Sequence, residues 1–265
     1  MTRQDNQARI LSILRSSEVV QIRELSEALG VSRETIRKDV YELERRGLLT
    51  KVRGGAVLTR SNSETPYDLR KTTNLEAKKA IAQSAAELIR PGDTVFLDYG
   101  TSTFMLAEEL LDAQDITVVT NALPIINRLV VNRNIAIVVP GGVIRTNENS
   151  LYGPLTARNL DHLFMNIGFF GAAGIHQEAG ITNQNPFESA VSTQALSKCQ
   201  KVVVLVDYSK FGVIATNKVA DLRDVDVITT DRAIPADFDA KFTELGVSAR
   251  ISVDGSAEVD RKQTL

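Results

Sequence analysis

The chain has one cysteine, Cys199, and only two histidines, His162 and His176. A single cysteine excludes an internal disulfide and any multi-cysteine zinc site. Two histidines this far apart leave no H-E-x-x-H pattern, so neither a metal nor another cofactor is expected. No apolar run approaches the roughly 20 residues that a membrane-spanning helix needs. The run from Ile135 to Pro140 reads instead as a buried strand. The opening MTRQDNQARI is too polar for the apolar core of a secretory signal, and a cytoplasmic protein with no membrane partner is the expectation.

An excess of charge of either sign is also missing: 31 Lys and Arg face 33 Asp and Glu, a net charge of -2. At first sight this argues against nucleic acid as a partner. The distribution reverses that reading. Residues 1–60 hold 12 Lys and Arg against 8 acids, so the basic excess lies at one end and the rest of the chain is acidic. A small DNA-binding module on a larger acidic body carries its charge in this way. The 43% hydrophobic and 24% charged residues are ordinary for a globular chain, and 265 residues accommodate two unequal domains.

The first sixty residues carry three helical patterns. Ile10, Ile13 and Leu14 share one face of a first helix, and Ile22, Leu25, Ala28 and Leu29 share one face of a second. Gly30 is placed to end the second helix in the left-handed region. Ser32 then suits an N-cap, and a third helix keeps Ile36, Val40 and Leu43 inward. Helix, short glycine turn and helix is the grammar of a helix-turn-helix. Its outward face presents Ser32, Arg33, Glu34, Thr35, Arg37 and Lys38, where a recognition helix meets base edges. Arg pairs bidentately with guanine, and Thr reaches a thymine methyl. Two β-prone segments, Leu48–Val52 and Ala56–Leu58, flank Arg53-Gly54-Gly55 and read as a hairpin wing, with Lys51 and Arg53 available to phosphates.

From Ser32 through Leu43, and again at Arg53-Gly54-Gly55-Ala56, the sequence resembles the DeoR/GlpR family of bacterial regulators. Thr35-Ile36-Arg37-Lys38-Asp39 carries that family's signature. Further matches follow at Pro66–Arg70, Leu97–Thr103, Val119–Asn121, Gly171, Gly180–Thr182 and Asp207–Phe211. The resemblance implies a repressor of a sugar or polyol operon, relieved by a phosphorylated intermediate. It implies a double-stranded DNA operator as partner and a homodimer or homotetramer. It also implies a sensor domain similar in fold to ribose-5-phosphate isomerase and CoA transferases.

Beyond the wing, residues 59–74 show no periodicity and read as a linker between a DNA-binding domain at 1–58 and a sensor domain at 75–265. In the sensor, β-rich runs alternate with helices at Thr94–Asp98, Ile116–Thr120, Ile135–Val139, Asn166–Phe170, Val202–Val206 and Val225–Thr229. The expected fold is α/β, with a mainly parallel sheet covered by helices. Ligands bind beyond the carboxyl ends of such strands. The loops expected there are small and polar: Asp98, Gly100, Thr101, Ser102 and Thr103; Thr120 and Asn121; Gly141 and Gly142; Gly171; and Lys210. Thr101, Ser102, Thr103 and Lys210 suit a phosphate, whereas Asp98 and Asn121 suit sugar hydroxyls.

The resemblance also locates two departures. Related sequences usually carry Gly-Ala-Asp-Gly-Ile-Asp where this chain has Gly171–His176, so Ala173 and His176 replace acids. The helix after Pro186 usually carries a basic pair where Ser192-Thr193 stands here, while Glu188 is kept. An isomerase-like enzyme fused to a DNA-binding module is the alternative reading. Aldose–ketose chemistry needs a carboxylate base and a cation, for which Glu188 and Lys210 remain. A purely architectural DNA-binding protein is a third.

Overall fold

The computed structural model describes residues 3–15, 19–45, 49–52, 54–58, 67–253 and 256–260. Two compact units divide the chain: residues 1–65 with 72–74, and residues 66–71 with 75–265.

The first unit contains α1 (Arg3–Arg15), β1 (Val20–Gln21), α2 (Ile22–Leu29), α3 (Arg33–Arg45), β2 (Leu49–Val52) and β3 (Gly55–Leu58). Ile10 and Leu14 of α1, Leu25 and Leu29 of α2, and Ile36, Val40 and Leu43 of α3 close on one apolar core. Leu49 and Ala56 of the hairpin complete it. Ala28, read from its spacing as inward, is exposed, because Leu25 and Leu29 suffice to face the small core. Gly30 ends α2 with φ 68° and its N–H donates to the Ser26 carbonyl. The sheet order is β1-β3-β2, antiparallel, so the expected hairpin gains a two-residue strand too short to show a period. Helix-turn-helix plus hairpin makes the expected winged helix.

The second unit begins with α4 (Tyr67–Thr72), a helix inside the stretch that lacks periodicity. One and a half turns offer too few repeats for a pattern, although Tyr67 is buried. Then follow α5 (Leu75–Ala86), β4 (Thr94–Leu97), α6 (Thr101–Glu109), β5 (Ile116–Thr120), α7 (Leu123–Leu129) and β6 (Ile135–Val138). Next come β7 (Val143–Arg145), β8 (Ser150–Tyr152), α8 (Pro154–Leu160), β9 (Met165–Gly171), β10 (Gly174–His176), β11 (Gly180–Asn183) and α9 (Pro186–Leu196). The unit ends with β12 (Cys199–Leu205), β13 (Asn217–Ala220), β14 (Val227–Thr230), α10 (Ala236–Leu245), β15 (Ser248–Val253) and β16 (Ser256–Asp260).

Eight strands form one sheet in the order β16-β15-β14-β12-β9-β4-β5-β6, parallel except for the β15–β16 edge. Each face has its own core. Val95 and Leu97 of β4 join Ile81, Leu106 and Ile125 on one side; Phe96 joins Phe170, Val191 and Phe242 on the other. This alternation is the period of two of a strand covered on both faces. Leu97 pairs with Thr120 and with Phe169, and Leu205 with Gly171, so four carboxyl ends lie nearly level. The antiparallel pair β7–β8 and the small sheet β10-β11-β13 stand apart from the main sheet.

Candidate functional site

On α3 the Ser32 hydroxyl accepts from the Thr35 N–H at 3.1 Å, which caps the helix at its expected start. Ser32, Arg33, Glu34, Arg37 and Lys38 are exposed, while Thr35 is partly covered and its hydroxyl lies 2.9 Å from that of Ser32. Lys38 is paired with Glu34 at 2.9 Å, one helical turn away, which holds the Glu34 carboxyl below its usual range. On the wing, Lys51 Nζ lies 2.9 Å from Glu44 and over the ring of Tyr41 at 4.8 Å. Tyr41 is itself 59% exposed on the outward side of α3. Arg53 lies outside the described residues. The face thus offers Arg33 and Arg37 with two lysines held by carboxylates.

The sensor loops singled out in the sequence follow five neighbouring strands, β6, β5, β4, β9 and β12. They differ in what their side chains do. Thr120 donates to the Leu97 carbonyl at 2.7 Å and accepts from the Ala122 N–H, so its hydroxyl ties β5 to β4. Thr103 donates to the Gly100 carbonyl at 3.1 Å. Thr101 is buried, Ser102 partly exposed, and Gly100 opens α6 at φ 127°. Gly141 and Gly142 receive α8: Thr156 donates to the Gly141 carbonyl at 2.7 Å, and a Cβ on Gly142 would overlap that hydroxyl. Gly171 ends β9, and Lys210 closes a short 3-10 turn after β12.

Asp98 and Asn121 lie fully buried at the ends of β4 and β5. Asp98 Oδ2 accepts from the Ser192 hydroxyl of α9 at 2.7 Å. Burial pushes the Asp98 carboxyl up to about 8; the nearby Glu188 adds to this, while Ser192 and the Tyr99 N–H oppose it. Asn121 Nδ2 donates to the Leu151 carbonyl at 3.2 Å.

Around these residues stands a charged cluster that sequence reasoning missed apart from Lys210, with Glu188 seen only as a catalytic alternative. Glu188, fully buried on α9, accepts from Ser150 and pairs with Arg145, both carried by β7–β8. Glu148, between those two strands, pairs with Arg70 of α4. Lys78 of α5 is buried and donates to the Arg70 carbonyl. Burial lowers the Lys78 ammonium to about 8; Asp207 opposes the shift, and Lys210 and Arg70 reinforce it. The same burial, with Asp98, Glu188 and Glu148 nearby, holds the Tyr99 hydroxyl well above its usual range, against the pull of Arg70. The one signal available was spacing. Arg70 and Lys78, eight residues apart, share a side only if both segments are helical.

Residues 7–62 match the DeoR-like helix-turn-helix domain, and residues 73–232 match the DeoR C terminal sensor domain. The chain belongs to the DeoR family of transcriptional regulators. The HTH-type transcriptional regulator GolR of Listeria innocua is 33% identical over 249 residues, 94% of this chain and 98% of that one. The glycerol-3-phosphate regulon repressor of Escherichia coli is 31% identical over 226 residues, 85% of this chain and 90% of that one. Among solved structures, ribose 5-phosphate isomerase A from Methanocaldococcus jannaschii aligns with 52% of this chain and 55% of its own. Its TM-score is 0.38 at 19% identity.

Within this DeoR-family member the departures have visible local roles. The Ala173 N–H donates to Asn183 Oδ1 and to the Thr182 carbonyl. His176 Nδ1 accepts from the N–H groups of Glu178 and Ala179, capping the β10–β11 turn. Ser192 holds Asp98, and Thr193 donates to the Val219 carbonyl at 2.8 Å. Cys199 donates to the Ala195 carbonyl, and burial pushes its thiol up to about 12, far from a reactive thiolate.

Proposed function

We propose that this chain represses a carbohydrate catabolic operon and leaves its operator when a phosphorylated sugar or polyol binds the sensor. Residues 1–58 read double-stranded DNA through Arg33, Thr35, Arg37 and Lys38, with Ser32 and Glu34 framing the helix and Lys51 and Arg53 on phosphates. Residues 75–265, with Arg70 of α4, hold the effector, and the rest of residues 59–74 joins the two. The observation that carries the effector class is the meeting of Asp207, Lys210 and Arg70 around Lys78, beside the end of the sheet. With Arg70 matched by Glu148, Lys78 and Lys210 still face one carboxylate, which favours an anion, and the N–H groups opening α6 at Thr101–Thr103 add donors. The protein acts in the cytoplasm as a homodimer or homotetramer, because two-fold operators call for two-fold readers.

It acts without turnover. Glu188, the remaining candidate base, is committed to Arg145 and Ser150 rather than poised toward a substrate carbon. Measurable isomerisation of a pentose or hexose phosphate, lost in Glu188→Gln, would overturn this.

The test of the switch uses the full chain on DNA from upstream of its own gene. Thr101→Val and Lys210→Ala should bind that DNA normally yet stay bound at sugar-phosphate levels that release the wild type. Melting temperatures separate a binding role from a capping role. Variants that are destabilised but still respond defeat the assignment.

A further inference from the structure

Among the buried sensor oxygens without a hydrogen-bond partner, two end adjacent strands: Asp98 Oδ1 and Asn121 Oδ1. Their partner atoms are fixed. Ser192 holds Asp98 Oδ2, and the Asn121 amide nitrogen is committed to the Leu151 carbonyl, so its oxygen is an acceptor only. The register puts them side by side, since Leu97 pairs with Thr120 and each oxygen belongs to the next residue along. Neighbouring strands run about 4.8 Å apart. Phe96 and Val119 both face the α9 side of the sheet, so Asp98 and Asn121, two residues further along, face that side too. Buried polar oxygens are rarely left unmatched, and two adjacent ones ask for two adjacent hydrogen-bonding partners.

The charges nearby limit what those donors are. Glu188 lies beside Asp98, and Tyr99 senses Asp98, Glu188 and Glu148 together. The carboxylates of Glu188 and Glu148 are already matched by Arg145 and Arg70. A further anion placed here would lie beside Glu188 and Glu148, in a site whose burial already disfavours charge on Asp98. Lys78 feels Asp207 and Lys210, the groups assigned above to the phosphate.

We infer that Asp98 Oδ1 and Asn121 Oδ1 form a paired hydrogen-bonding site for two adjacent, uncharged hydroxyl groups of the effector. This rests on the phosphorylated effector proposed above and narrows it to a monophosphate whose other end is a vicinal diol. Sugar acids, bisphosphates and analogues lacking one of the two hydroxyls are rejected.

Calorimetric titration of the full chain with matched compounds tests this. Glycerol 3-phosphate is set against propane-1,3-diol monophosphate and 3-phosphoglycerate. Glucose 6-phosphate is set against 2-deoxyglucose 6-phosphate and 6-phosphogluconate, and fructose 1-phosphate against fructose 1,6-bisphosphate. At least one parent monophosphate should bind, with its deoxy, acid or bisphosphate counterparts weaker by about 100-fold or more, because a site built for a hydroxyl leaves its own group unpaired otherwise. In Asn121→Leu the gap between parent and deoxy compound should shrink to a few-fold. Counterparts that bind as tightly as their parents overturn the inference while leaving the phosphate reading intact. So does a gap that persists in folded Asn121→Leu. If that variant fails to fold, the wild-type series decides alone. If no monophosphate binds, the phosphate reading itself falls and takes this inference with it.

Discussion

Burial moves the acidities of Asp98 and Lys78 toward one another, both to about 8. The signs for stability differ. Asp98 keeps its proton in the folded chain between pH 4 and 8 while the unfolded chain loses it, so its contribution to stability falls as pH rises through that window. Lys78 loses its proton more easily folded than unfolded, so its contribution rises between pH 8 and about 10.5. Asp98→Asn should therefore flatten the decline between pH 5 and 8 in urea melts, with the difference from wild type growing toward pH 8. A variant whose pH profile parallels wild type would refute the buried acid. If an anionic effector binds beside Lys78, it should restore that proton. Binding heats near pH 8 will then vary with the ionisation enthalpy of the buffer, and will not in Lys78→Met. On α3, Arg37→Ala should cost about 1–3 kcal/mol of specific operator binding in a filter or anisotropy assay, as expected for a base-reading arginine. Arg37 was legible because its neighbours Ile36 and Val40 had to face inward. Lys78 was not, because a lysine on an alanine-rich helix ordinarily leaves its charge in water.

At the scale of elements, legibility followed period. The buried parallel strands β4, β5, β9, β12 and β14 announced themselves as short Val/Ile/Phe-rich runs between helices, because both of their faces need apolar cover. The β7–β8 hairpin did not. Its strands are three residues each, Val143 and Ile144 are exposed, and its buried positions are Glu148, Ser150 and Leu151. A hairpin that buries polar groups against a site has no hydrophobic alternation to read. It brings Arg145, Glu148 and Ser150 to the site, so half of the charged cluster was invisible for the same reason. Helix α4 was hidden by shortness. Its Arg70 counts only once Glu148 is in place. Gly142 gives these elements a sharp test. It sits at φ 129°, and a Cβ there would meet the Thr156 hydroxyl and the Tyr152 carbonyl. Gly142→Ala should destabilise the chain by about 1–3 kcal/mol in chemical denaturation. An unchanged midpoint would mean that the β6–β7 connection repacks freely around α8.

For the whole molecule the governing quantity is the separation of charge between a basic end and an acidic remainder. Nonspecific DNA affinity then depends on how many cations are free to displace counterions. Lys51 is held by Glu44, so Lys51→Ala should weaken binding to all sequences alike but change the salt slope by less than one phosphate contact. Glu44→Gln should do the reverse, strengthening binding to every sequence and steepening the slope. Equal slopes in all three proteins would show that the wing does not approach the backbone. A different property follows from the Asp98 and Asn121 oxygens, which are sealed from solvent. A ligand reaches them only after the protein has opened, and opening has a rate of its own. The observed association rate should level off as effector concentration rises, instead of climbing in proportion to it. Loosening the hairpin with Arg145→Ala should raise that plateau. The delay between the arrival of effector and the release of DNA would then be a constant of the protein, indifferent to how abundant the effector becomes.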